Sequence, residues 1–128
     1  MLYLASPYSH SDPAVRQARF EAACRAAAAL MLRGHRVFSP IAHSHPIATL
    51  GNLHVTDHDF WMRQDAGFLH AARAVVVLAL EGWTSSAGIQ HELESARRRN
   101  LPIGMMTSPE HAVTGAAGGL FDLEALRT

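Results

Sequence analysis

Cysteine is almost absent from this chain: Cys24 is the only one in 128 residues, so no intramolecular disulfide can form, as suits a reducing compartment. Net charge is missing as well. Eleven basic residues balance eleven acidic ones, leaving no general field to hold a nucleic-acid polymer or an anionic membrane. An anionic ligand must therefore be gripped locally, and the arginine run at residues 97–99 is accounted for as the cationic complement of a helix C-terminus. No apolar stretch is long enough to span a bilayer. Residues 2–5 also lack the charged and apolar regions of a signal peptide. No internal repeat is present. These absences lead to the expectation of a single cytoplasmic domain of ordinary size, with neither membrane nor nucleic-acid polymer among its partners.

What is present alternates between strand-like and helix-like segments. A short apolar run at residues 2–6 leads into a Ser/Pro loop, and Asp12-Pro13 then supplies an N-cap and a first helical residue. The helix is expected to run to Arg33, with Gly34 as its stop. Val15, Ala18, Ala22, Ala26 and Leu30 form one apolar row, and Phe20, Cys24, Ala27 and Met31 an adjacent one, a broad face suited to a sheet. Residues 35–39 read as a second strand halted by Pro40, and residues 41–56 as a long loop. Helical spacing returns from Asp57 through Phe60, Trp61, Gln64, Phe68 and Leu69. Residues 74–80 are a continuous Val/Leu run of the kind buried on both sheet faces. A helix over residues 86–99 and a strand at 102–106 complete the pattern. Alternating strands and helices predict an α/β domain with a four- to five-stranded, mainly parallel sheet in the order 2-1-3-4, flanked by helices. The domain is assigned to residues 1–106. Residues 107–128, with an amphipathic end in Leu120, Phe121, Leu123 and Leu126, are expected to pack on it or on a neighbouring subunit.

Glu92 lies on the helix that follows the Val/Leu strand, where ligands collect in open α/β sheets. Ile89, Leu93 and Ala96 form that helix's core stripe, and Glu92 borders it. Gly88, one turn earlier on the same face, leaves the space above the carboxylate open; it would equally serve close helix–sheet packing, with Glu92 a rim residue. Asp65 sits on a largely apolar helix. It either caps a loop or pairs with an arginine such as Arg63, or joins Glu92 in the two-carboxylate set that glycosyl transfer uses. The histidines His43, His45, His54 and His58, with Asp57 and Asp59, offer a rival metal site without a recognised zinc spacing.

Together, Tyr3-Leu-Ala-Ser-Pro-Tyr8, Phe38-Ser-Pro-Ile-Ala-His-Ser-His45, Gln64-Asp65 ahead of Phe68-Leu69, the Val/Leu strand and Ser86-x-Gly88-x-x-x-Glu92 resemble the nucleoside 2-deoxyribosyltransferase-like superfamily. That superfamily includes the deoxynucleoside 5′-monophosphate N-glycosidases. The resemblance covers residues 1–106 and is nearest to a small bacterial branch of unassigned function. It implies a flavodoxin-like or Rossmann-like domain in which Glu92 attacks the anomeric carbon of a nucleoside or nucleotide. Asp65 would position sugar or base and handle protons, Tyr3 would lie beside the nucleophile, and Ser86 would contact sugar or phosphate. Ser6, Pro7, Tyr8, Ser9, His43, Trp61 and Gly88 are the expected substrate contacts. The first loop lacks the Gly/Arg-rich form of nucleotide-specific members, though Ser9, His10, Arg16 and the helix start at Pro13 remain candidates for a phosphate. The resemblance implies no cofactor or metal, a small-molecule nucleoside or nucleotide as ligand, and a homodimer or homotetramer. A non-catalytic nucleotide-binding module and a metal-dependent hydrolase built on His43, His45, His54 and His58 stand as alternatives.

Overall fold

Two strands made wholly of buried residues, β1 (Leu2–Ala5) and β3 (Ala74–Leu78), lie side by side at the centre of the sheet. The computed structural model describes residues 1–55, 57–110 and 113–115. Around the central pair, in chain order, are α1 (Pro13–Leu32), β2 (Val37–Phe38), α2 (Pro40–Leu50), α3 (His58–Ala71), α4 (Ala87–Arg98), β4 (Ile103–Met106) and β5 (Thr114–Gly115). The sheet order is β2-β1-β3-β4-β5. The first four strands are parallel and β5 is antiparallel to β4. The expected order 2-1-3-4 of a Rossmann-like α/β fold is therefore observed, with an antiparallel edge added from residues 114–115. Residues 111–112 and 116–128 of the tail, including Leu120, Phe121, Leu123 and Leu126, lie outside the described residues.

Strand alternation decides which side chains reach the site. Leu2, Leu4, Ala74, Val76 and Leu78 face α1 through Ala22, Ala26 and Leu30. The small alanines let that helix sit close to the sheet. Tyr3, Ala5, Val75 and Val77 face the other way, against Leu69 of α3 and Ile89, Leu93 and Ala96 of α4. Tyr3 thus shares a layer with the two helices that carry Asp65 and Glu92. Each helix is capped from its own sequence: Asp12 accepts from the Ala14 amide at 2.9 Å, Asp57 from Phe60 at 3.2 Å and Ser86 from Ile89 at 3.3 Å.

Two expectations are corrected. The strand read over residues 35–39 has only two paired residues, Val37 and Phe38. The long loop read over residues 41–56 is a helix, α2, for most of its length. Ser39 caps it by accepting from the Ala42 amide at 3.1 Å. Pro40 stands at its first turn, where the missing N–H has no helical partner to lose. Pro46 lies in the helix interior and removes one hydrogen bond. The burial of Ser44 and Ala48 against the rest of the fold holds the helix despite that loss. Among the described residues no helix is long and apolar enough to cross a membrane.

Candidate functional site

The loops that leave β1 and β3 at their carboxyl ends meet α2, α3 and the start of α4 around a cavity of about 700 Å³. Glu92 lies in its wall, 5% exposed. Tyr3 donates its hydroxyl to the Glu92 carboxylate from the sheet side. Burial raises the Glu92 pKa to about 8; the Tyr3 hydrogen bond pulls it down, and the charge of Asp65 adds to the rise. Asp65 comes from α3 and is 6% exposed, and burial raises its pKa to about 6. Tyr3 is held far above its ordinary value by burial and by the charge of Glu92, so it remains a donor at any physiological pH. The two carboxyls therefore hold one proton between them over the interval from about 6 to about 8.

Among the described residues, Asp65 makes neither the loop cap nor the Arg63 ion pair that its position suggested. Its Oδ1 is buried without a hydrogen-bond partner. An unpaired buried carboxylate oxygen in a cavity wall is costly unless a ligand donates to it. Gly88 resolves the other ambiguity. A Cβ there would stand 3.8 Å from Ser86 Oγ, 4.0 Å from Glu92 Oε1 and 4.0 Å from His58 Cε1. The open space at Gly88 thus belongs to the site, directly over the Glu92 carboxylate. Ser86 accepts from the Ile89 amide at 3.3 Å, which leaves its own proton to donate.

Of the expected first-loop contacts, Ser6, Pro7, Tyr8 and Ser9 all line the cavity, and Ser6 Oγ is buried with no partner among the described residues. Trp61 lines it too, its indole N–H donated to the His54 carbonyl at 2.9 Å. The candidates for a phosphate at the start of α1 are engaged elsewhere. Arg16 donates to the His10 carbonyl at 2.5 Å, His10 Nδ1 accepts from the Asp12 amide at 3.0 Å, and the Asp12 carboxylate occupies the helix start.

His43 does not join the site. It is exposed on α2, with its ring centroid 5.4 Å from that of Phe38 and 5.9 Å from that of Phe68. Residues two apart on a helix point about 200° from one another. His45 accordingly faces inward, where it meets Tyr8 and Gln17 and stacks on Phe20 at 4.3 Å. Only His58 of the four histidines lines the cavity, and among the described residues no three His, Cys, Asp or Glu side chains are grouped to hold a metal ion.

Sequence reasoning missed the contribution of α2, whose Pro40, Ile41 and Ser44 form part of the wall. The Ser39-Pro40 pair, a cap followed by a first-turn proline, was the signal for it. It also missed Arg19. That guanidinium donates to the Ser9 carbonyl and to the Glu81 carbonyl, each at 3.0 Å, and so ties together the loops that follow β1 and β3. Gly82 permits this contact: its φ is +88° and a Cβ there would stand 3.0 Å from the Arg19 guanidinium. No curated protein matches the chain. The family model DUF1937, a domain of unknown function, matches residues 1–108, and the chain belongs to that family.

Proposed function

We propose that the protein cleaves the N-glycosidic bond of a nucleoside or nucleoside 5′-monophosphate through a covalent intermediate on Glu92. One observation carries the reading. Two buried carboxyls, Glu92 with Tyr3 donating to it and Asp65 with an unpaired oxygen, share the wall of one cavity at the carboxyl ends of parallel strands. The resemblance of the Tyr3, Asp65 and Ser86-x-Gly88-x-x-x-Glu92 elements to the nucleoside 2-deoxyribosyltransferase-like superfamily supports the same chemistry.

In this reading the ionised Glu92 attacks the anomeric carbon from the side opened by Gly88. A C–O bond forms to the carboxylate as the C–N bond breaks, and its electron pair leaves on the base nitrogen, which takes the proton held by Asp65. With values of about 6 for Asp65 and about 8 for Glu92, the shared proton rests mostly on Glu92, and the reactive form is the one in which it has passed to Asp65. Tyr3, donating to the ionised Glu92, stabilises that form. Asp65, now ionised, accepts a proton from water, and the oxygen of that water displaces Glu92 from the sugar. A free base in place of water would complete a transfer instead. Ser86 and the first amides of α4 hold sugar oxygens, while Trp61 and Tyr8 face the base.

The test is release of free base from a panel of ribo- and deoxyribonucleosides and their 5′-monophosphates, followed by chromatography with and without an acceptor base. Release that disappears in Glu92→Gln is expected. Wild-type turnover in that variant would refute the proposal.

A further inference from the structure

Two hydroxyl protons on the side of the cavity formed by α2 and the first loop, those of Tyr8 and Ser44, are already committed within the protein. Tyr8, 8% exposed in the wall, lies 2.6 Å from His45 Nδ1, and His45 Nε2 lies 3.0 Å from Gln17 Oε1. Gln17 turns its amide nitrogen toward Glu21 at 3.5 Å, so the atom facing His45 is an acceptor. His45 must therefore carry its proton on Nε2 and receive the Tyr8 proton at Nδ1. Burial, and then the charge of Arg16, lowers the His45 pKa, which keeps the ring neutral at pH 7. Arg16 also donates to the Tyr8 oxygen. All that Tyr8 can still offer a ligand is a lone pair. Ser44 is in the same condition, because its hydroxyl donates to the Pro40 carbonyl at 2.6 Å.

The opposite side of the cavity keeps its donors, with the Ser86 proton unspent at the start of α4, beside Glu92. A ligand held there by sugar oxygens presents its base toward two acceptors, the Tyr8 oxygen and Ser44 Oγ. We propose that the site selects nucleosides whose base bears an exocyclic amino group, with the Tyr8 oxygen, held by His45, and Ser44 Oγ receiving its hydrogens. This rests on the glycosidase reading given above. A keto base in the same place would set oxygen against oxygen and leave buried acceptors unpaired, a mismatch that a polar site rejects strongly. Tyr8 is the specificity residue and His45 a positioning residue that acts through it.

The experiment pairs 2′-deoxyadenosine with 2′-deoxyinosine and 2′-deoxycytidine with 2′-deoxyuridine, comparing kcat/KM for base release and, in the inactive Glu92→Gln protein, binding by tryptophan fluorescence. The amino member should be favoured roughly tenfold or more in each pair. The ratio should fall toward one in Tyr8→Phe and in His45→Phe, which keeps the ring stack on Phe20. Equal or better use of the keto members by the wild type overturns the inference while leaving the glycosidase reading intact. So does a wild-type ratio that persists in folded Tyr8→Phe. Neither release nor binding of any of the four, nor of their ribo- and 5′-monophosphate counterparts, refutes the glycosidase reading, and the preference with it.

Discussion

Replacing Tyr3 by Phe removes one oxygen from a fully buried ring and tests the electrostatics of the site with little else disturbed. The ring keeps its packing against Phe38, whose centroid is 5.7 Å away. What disappears is the hydrogen bond that favours charge on Glu92. A hydrogen bond to a charged group contributes about 1.5–3 kcal/mol, equivalent to about one to two pKa units. With its donor gone, Glu92 should hold its proton to a pH well above its present value of about 8. The direction follows because the lost interaction stabilised the ionised form. In 13C NMR titration of the Glu92 carboxyl, Tyr3→Phe should move the midpoint up by about one unit or more. In the base-release assay, kcat/KM should be bell-shaped for the wild type, with limbs near the values of about 6 and about 8 for Asp65 and Glu92. Tyr3→Phe should lower it roughly tenfold or more at pH 7 and shift the upper limb to higher pH. An unchanged NMR midpoint would refute the coupling of Tyr3 to Glu92, whatever the activity.

Other substitutions test separate parts of the account. Glu92 has a folded-state pKa raised from 4.5 to about 8, so its contribution to stability is fully present below the unfolded value and is lost as pH rises through the folded one. Glu92→Gln should accordingly melt above the wild type at pH 9, by an amount on the order of 3 kcal/mol, and show little such gain at pH 4, as followed by thermal denaturation across pH. Gly88→Ala adds a methyl at ordinary contact distance, no nearer than 3.8 Å to any side chain. Its melting temperature should hold or rise, while kcat/KM falls roughly tenfold because the methyl stands over the carboxylate. Arg19→Ala unties the Ser9 and Glu81 carbonyls. It should destabilise the fold by about 1 kcal/mol and speed amide hydrogen exchange at residues 81–83.

The sheet was legible because its strands carry their burial in their composition. Residues 74–78 are apolar throughout and fully buried, and Pro13, Gly34 and Ser86 mark helix ends by chemistry that acts within a few residues. Glu92 and Gly88 were legible for the same reason: one helical turn separates them, so spacing alone puts them on one face. α2 was misread because Pro40 both ends an extended segment and begins a helix, and only the preceding Ser39 distinguishes the two. That error carried His43 into the expected site, since a loop allows two neighbouring histidines to point together and a helix does not. Arg19 left no local mark, because what it does depends on two carbonyls, one of them 62 residues away in sequence.

The central claim is that Glu92 forms a bond to the sugar. It is tested most directly by rapid acid quench of the protein with a nucleoside that it cleaves, followed by peptide mass spectrometry. The account predicts a glycosyl ester on the peptide containing Glu92, formed as base is released, and absent from Glu92→Gln. Base release by the wild type with no adduct, together with undiminished release by Glu92→Gln, would contradict it.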